Sequence, residues 1–286
     1  YHDLSKKIRT AFSDHYLDKE TVRLVTNAAA YGDGKGYVDG QMGFSGNTQT
    51  AYANAIYLDF LDEEQKMVAG GHLAQLIKDN DGKLATGFLG AKQLLPALSA
   101  TGHSDIAYQL LLNEEYPSWG FEIKNGATTI WERWDSYVKD DPEKLASLNN
   151  GMNSFSHYAF GSVFEWMFHN MAGIKSEEAA YKTFVIAPDI PKNDINYVSA
   201  SHESIHGKIS SSWKKEGGKL LLKVSIPVNT KATVFIPAKD ELDVLLDNKR
   251  LDQHEGFEGF QKGNFYKGKQ AVKLGSGTYK FESSLN

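Results

Sequence analysis

The 286-residue sequence contains no cysteine, which excludes disulfides and thiolate catalysis and leaves the redox compartment open. It has no apolar run near the roughly 18 residues needed to cross a bilayer as a helix, so no membrane span is expected. Long basic runs are also missing, and the net charge is −5. Nucleic-acid binders present a clustered positive patch, so that class of partner is not expected either. There is no G-x-S-x-G run, and hence no nucleophile elbow. There is no signal-like segment and no initiator Met. The chain opens at Tyr1 inside a helix-like pattern, so a processed protein or an excerpt of a longer one is expected.

What is present has two textures. Residues 1 to about 173 read as helices joined by loops. "DLSKKIRTAF" puts Leu4, Ile8, Ala11 and Phe12 on one face, with Asp3 as candidate N-cap. "NTQTAYANAIYLDF" is helix-periodic. In "DEEQKMVAGGHLAQLIKDN", Asp62 and Gln65 have capping-box spacing, and the stripe is Met67, Val68, Leu73, Leu76 and Ile77. "GAKQLLPALSATG" centres on Leu94, Leu95 and Leu98, with Pro96 fitting best near a helix start or a kink. "SDIAYQLLLNE" follows. "NSFSHYAFGSVFEWMFHNMAG" reads as one helix over 153–173, with Phe160, Phe164 and Phe168 on a packed face and Gly173 closing it. Successive helix pairs are consistent with an α/α toroid.

Beyond about residue 175 the runs shorten and become β-branched and aromatic, separated by Gly, Asn and Pro. "WKKEGGKLLLKV" predicts a hairpin turning at Glu216-Gly217-Gly218. At least six such runs in the last stretch predict an antiparallel sandwich. The expected boundaries are 1–175 for the helical region and 176–286 for the β-domain.

Some motifs imitate chemistry. "HESIH" (202–206) matches a zinc-protease pattern, which requires both histidines on one helical face. Its flanks alternate as a strand does, so a strand with a turn is expected and no metal site. "DNDGKL" (79–84) resembles part of a calcium loop, but the twelfth position is Gly90 where a Glu is needed, so a turn after a helix is expected. "GDGKG" (32–36) follows no strand-like run, and no nucleotide fingerprint is expected. No cofactor is implied.

The informative stretch is "TTIWERWDS" (128–136), where Glu132 lies between Trp131 and Trp134 with Arg133 and Asp135 beside it. Four of the five tryptophans (Trp119, Trp131, Trp134, Trp166) fall between 119 and 166. A structural ion pair, Glu132–Arg133 or Arg133–Asp135, is one account. A sugar cleft is the other: indole faces match the C–H faces of a sugar ring, while carboxylates, Arg and His match its polar edges. "YPSWGFEIKNGATTIWERWDS" is punctuated by Gly120, Asn125 and Gly126, so its aromatics and Glu122, Glu132 and Asp135 are expected on loops and short strands around a cleft. Glycosidic hydrolysis needs a proton donor for the leaving oxygen and a second carboxylate for water or the anomeric carbon. The residues alone leave both accounts open.

"GATTIWERWDS" together with "MNSFSHYAFGSVFEWMFHNMAGI" resembles the bacterial α-L-rhamnosidases, inverting glycoside hydrolases of family 78. "GNTQTAYANAIYLDF", "TGFLGAKQLLPALSATGHSDIAYQLL" and "ASHESIHGKISSSWKKEGGKLLLKVSIPVNTKATVFIPA" agree, so the resemblance covers nearly the whole chain in order. It implies an (α/α)6 barrel, here incomplete, followed by a C-terminal β-sandwich. It implies inverting hydrolysis of terminal non-reducing α-L-rhamnose from plant-type glycosides or polysaccharides, with such a glycoside as partner. By motif matching, Glu132 falls on the family's general base and His157 on a histidine that contacts rhamnose hydroxyls. Trp131, Trp134 and Trp119 are implied as walls for the sugar. The family admits calcium, but no ligand set is legible in this chain. The family's general acid belongs to an Asp-rich run that this chain does not contain, so the chain alone is expected to be an incomplete enzyme. Asp33 or Asp39 would replace that acid should the chain prove active by itself. Another inverting α/α-barrel glycosidase and a non-catalytic carbohydrate-binding protein are the alternatives. Oligomeric state, compartment and aglycone are not legible.

Overall fold

The structure, a computed structural model, describes residues 1–25, 46–139, 141, 153–240, 242–261 and 266–285, and the backbone of 37–38 and 41–42. The chain folds as two compact units, Tyr1–Val163 and Phe164–Asn286.

The first unit is helical. Its α1 (His2–Tyr16) begins at Tyr1 as N-cap, with Asp3 in the first turn where it complements the helix dipole instead of capping. Of the expected stripe, Leu4 and Ile8 stay exposed at 56% and 47%. Phe12 stacks on Phe60 with ring centroids 4.7 Å apart. A two-stranded ribbon follows, β1 (Leu17–Asp18) with β2 (Arg23–Leu24), and a second, β3 (Tyr37–Val38) with β4 (Gln41–Met42). Then come α2 (Gln49–Tyr57), α3 (Glu63–Asp79), α4 (Phe88–Ala100), α5 (Ser104–Leu112) and α6 (Trp119–Lys124).

Local chemistry explains these boundaries. The capping box at α3 forms as expected: Gln65 N–H donates to Asp62 Oδ1 at 2.8 Å, and Asp62 N–H donates to Gln65 Oε1 at 3.1 Å. "DNDGKL" is the turn that ends α3, with Asp81 and Gly82 at positive φ. Val68, expected in the α3 stripe, is 42% exposed, while Leu73 and Ile77 are buried. α2 packs closely on α4: a Cβ added at Gly90 would sit 2.6 Å from Thr50 Oγ1. Pro96 lies inside α4, so of the two expected positions, a helix start or a kink, the start does not hold. Burial of Leu94, Leu95 and Leu98 holds the helix across the proline, so tertiary packing overrides its local cost.

The expected single helix over 153–173 does not form. Ser154 and His157 spend their backbone groups on the segment 130–132: Glu132 N–H donates to Ser154 O at 2.9 Å, and His157 N–H to Ile130 O at 2.8 Å. Helical geometry therefore begins only after His157, as a 3-10 turn (Tyr158–Ser162), α7 (Val163–Trp166) and a π turn (Met167–Met171). The phenylalanine stripe divides accordingly: Phe160 is buried, Phe164 is 67% exposed, and Phe168 packs partly on the core of the second unit.

The second unit is a β-sandwich. One sheet orders β13 (Phe257–Phe260), β14 (Lys269–Leu274), β10 (Lys231–Pro237), β6 (Thr183–Ile186) and β5 (Ile174–Ser176). The other orders β12 (Lys249–Arg250), β11 (Leu245–Leu246), β15 (Gly277–Ser284), β9 (Lys219–Ile226), β8 (Gly207–Glu216) and β7 (Tyr197–Ser204). Neighbours are antiparallel except β6 and β10, which run parallel because the chain between them builds three strands of the opposite sheet. Alternation puts Trp213, Leu222, Val224 and Phe281 inward against Phe184, Val234, Ile236 and Val272 in one shared core. Trp213 Nε1–H donates to Met171 O at 2.7 Å, which satisfies the buried indole. Gly217 and Gly218 turn the β8–β9 hairpin as expected, both at positive φ. "HESIH" spans the end of β7 and the turn into β8, where His202 packs on Phe168 and Tyr181.

Candidate functional site

Glu132 lies on an irregular segment, not in a helix. Two main-chain hydrogen bonds fasten residues 130–132 to 154–157, and Thr129 Oγ1 donates to Phe155 O beside them. The carboxylate adds a third tie between the segments: Ser154 N–H donates to Glu132 Oε2 at 2.7 Å. Glu132 is thus half-buried and oriented through both backbone and side chain. Among the described residues no basic side chain pairs with it. Arg133 turns instead to Asp135, 3.2 Å from its carboxylate, so the ion pair raised by the sequence exists but bypasses Glu132.

His157 is on the strap that holds Glu132. Its ring lies against Tyr158, stacked at 5.6 Å, and tilted against Phe88 at 5.4 Å. Nδ1 faces the Ala159 N–H at the start of the 3-10 turn. Tyr158 and Phe88 are themselves exposed, at 86% and 46%, so His157 and its aromatic neighbours face outward while the layer behind them is closed. The fold therefore brings the segments bearing Glu132 and His157 together.

The three indoles lie in that closed layer. Trp131, Trp134 and Trp119 are 3%, 7% and 8% exposed. Trp134 stacks face to face on Phe160 at 3.6 Å and donates from Nε1 to Thr86 O at 2.7 Å. Trp119 meets Trp134 edge-on at 5.1 Å and donates to Phe160 O at 2.9 Å. Trp131 takes edge-to-face contacts from Tyr137 and Phe155. All three indoles are buried against protein rings and the Nε1–H groups of Trp134 and Trp119 are satisfied, so the indoles form a packed layer with the Glu132 segment.

Glu122, expected on a cleft loop, is instead buried on α6, whose N-terminus is capped by Ser118 Oγ accepting from Phe121 N–H at 2.9 Å. Its Oε1 has no hydrogen-bond partner among the described residues, and burial pushes its carboxyl up to about 8. Asp33 and Asp39 lie outside the described residues. Sequence reasoning did not single out Ser154, Thr86 or Phe160 as the groups that set this geometry. Ser154 and Thr86 act through main-chain atoms, which leave no side-chain signature, and Phe160 is a stacking partner remote in sequence.

Comparison with known proteins identifies the family. Residues 1–171 match the family model described as bacterial alpha-L-rhamnosidase 6 hairpin glycosidase domain, and residues 173–250 match the bacterial alpha-L-rhamnosidase C-terminal domain. An alpha-L-rhamnosidase of Streptomyces avermitilis is 40% identical over 83% of this chain and 21% of its own length. One of Formosa agariphila is 39% identical over 84% of this chain and 25% of its own length. The crystal structure of the Streptomyces avermitilis alpha-L-rhamnosidase complexed with L-rhamnose superposes with a TM-score of 0.78 at 35% identity, covering 99% of this chain and 24% of that one. That of the Dictyoglumus thermophilum enzyme gives 0.77 at 25% identity, covering 99% and 28%. The chain thus spans only about a fifth to a quarter of the relatives it matches. The two matched domains, in order over residues 1–171 and 173–250, place the chain in the bacterial alpha-L-rhamnosidase family.

Proposed function

We propose that this chain contributes the general base to inverting hydrolysis of terminal non-reducing α-L-rhamnose in glycosides or polysaccharides. Glu132 is the base, and His157 contacts the sugar's hydroxyls. Trp131, Trp134 and Trp119 support the sugar site from below. Residues 1–175 belong to the catalytic barrel and 176–286 to the β-domain.

The single observation that supports this best is the Ser154–Glu132 clasp. A base that deprotonates water must be ionised, oriented and free of a competing cation. Ser154 N–H holds one carboxylate oxygen at 2.7 Å, and the ion pair nearby is diverted to Asp135. Water deprotonated by Glu132 attacks the anomeric carbon from the face opposite the leaving oxygen, which inverts the configuration. An acid about 6.5–9.5 Å away must protonate the leaving oxygen. The Asp-rich run that holds that acid in the family is not in these 286 residues, and we assign it to a segment outside them. The relatives' greater length is compatible with that assignment. The test is the anomer released by the full-length protein from an aryl α-L-rhamnoside, followed by proton NMR. Initial release of β-L-rhamnose supports inversion; initial release of the α anomer overturns it.

A further inference from the structure

The outward face of the six-stranded sheet is patterned in rows. Reading across β7, β8, β9 and β15, register aligns Ser199, Ser212, Lys223 and Lys280. The next row is entirely hydroxyl: Ser201, Ser210, Ser225 and Thr278, with Ser225 Oγ and Thr278 Oγ1 3.1 Å apart. On the other side the row is Tyr197, Lys214, Leu221 and Glu282, with Tyr197 70% exposed and Glu282 paired to Lys219.

Lys223 and Lys280 are direct cross-strand neighbours on this face. Like charges directly opposite one another destabilise a sheet. Every other lysine on β8 and β9 of this face has a carboxylate: Lys208 has Glu203, Lys214 has Glu216, Lys219 has Glu282. Lys223 and Lys280 have none within 4.0 Å among the described residues. The nearest acid by register is Asp247, on the turn after β11, and its Oδ1 accepts from the Lys280 backbone N–H at 3.2 Å.

The face is also hollow. A depression of about 580 Å³ is lined by Tyr197, Lys223, Asp247, Lys280 and Glu282 among others, the last of these already paired to Lys219, and a second of about 430 Å³, lined by the serine rows, shares Ser212 and Lys223 with it. Four strands spaced about 4.8 Å apart make the rows roughly 15 Å long, enough for a few sugar rings.

We propose that this face binds the uronate-bearing stretch of an acidic polysaccharide, with Lys223 and Lys280 sharing its carboxylate and the serine rows meeting its ring hydroxyls. Charge complementarity carries the choice of occupant. Two unpaired ammoniums among rows of hydroxyls suit one carboxylate per hydroxylated ring. A sulfated chain or a nucleic-acid backbone brings a denser charge, and Arg250, the arginine at this sheet's edge, is taken by Asp252. The inference goes beyond the proposed hydrolysis and does not depend on Glu132.

The experiment is calorimetric titration of the protein with a galacturonate oligosaccharide at low and moderate salt. Binding is expected, weakened by salt, and at least tenfold weaker in Lys223→Ser/Lys280→Ser. Lys192→Ser/Lys231→Ser, which removes the same charge elsewhere on the unit, should bind as the unaltered protein does. No binding by the unaltered protein would overturn the proposal, as would a Lys223/Lys280 variant that binds normally or a control variant that is equally weakened. Tighter binding of dextran sulfate or single-stranded DNA than of the galacturonate would overturn the assignment of the ligand.

Discussion

Glu132 and Ser154 hold one another twice. Glu132 N–H donates to Ser154 O at 2.9 Å, and Ser154 N–H donates to Glu132 Oε2 at 2.7 Å. The donor to the carboxylate is a main-chain group, so Ser154→Ala should keep activity of the full-length protein within a few-fold. Ser154→Pro removes that N–H and should lower kcat by roughly ten- to a hundredfold, the scale of losing one charge-assisted hydrogen bond at a site. Equal kinetics for the two variants would separate the clasp from the chemistry.

The aromatic layer should matter for stability. Trp134→Phe loses the Nε1–H bond to Thr86 O and part of the stack on Phe160. The expected cost is about 2–3 kcal/mol, read from the denaturant midpoint. Trp119→Phe should cost a similar amount for the same reason, since its Nε1–H serves Phe160 O.

Glu122 predicts a pH dependence. Burial raises its carboxyl from 4.5 to about 8 in the folded chain. Between those values the unfolded chain has released the proton that the folded chain keeps. The fold therefore has its full share of stability below about pH 4.5, loses roughly 1 kcal/mol per pH unit above it, and levels off past about pH 8. Glu122→Gln should flatten that slope in denaturant midpoints measured from pH 5 to 8.

The α2–α4 packing can be tested by compensation. Gly90→Ala places a methyl group 2.6 Å from Thr50 Oγ1 and should cost about 1–3 kcal/mol. Thr50→Ala removes Oγ1 and Cγ2, the two closest of the atoms it meets, so Thr50→Ala/Gly90→Ala should recover much of that loss. Additive costs in thermal melts would show that the close approach is relieved elsewhere.

Elements governed by local chemistry were legible in the sequence. Asp62 and Gln65 predicted their own capping box, and Gly217-Gly218 its hairpin, because each signal and its effect lie within a few residues. "HESIH" was legible as strand and turn from its flanks. The region from 153 to 173 reads as one helix in the sequence and does not form one, because the partner of its first residues, the segment 130–132, is remote in sequence and pairs through main-chain atoms. Pro96 reads in the sequence as a helix start or a kink, and it lies in the helix interior because burial of its neighbours, invisible locally, holds the helix across it. At the site, Glu132 stands out in the sequence by its place between two tryptophans, while its role, and His157 altogether, come only through long motifs matched to a family. The burial of the three indoles, implied as walls, and of Glu122, expected on a cleft loop, follows from tertiary packing that residue types alone do not encode.

The most direct test is Glu132→Gln in the full-length protein, with aryl α-L-rhamnoside hydrolysis and L-rhamnose binding measured on the same sample. The amide keeps the size and can still accept from Ser154 N–H, but cannot take a proton from water. Turnover should fall by about 10²–10⁴, the range for losing a general base, while rhamnose binding stays within a few-fold. Turnover near that of the unaltered protein would contradict the assignment of Glu132 as the base.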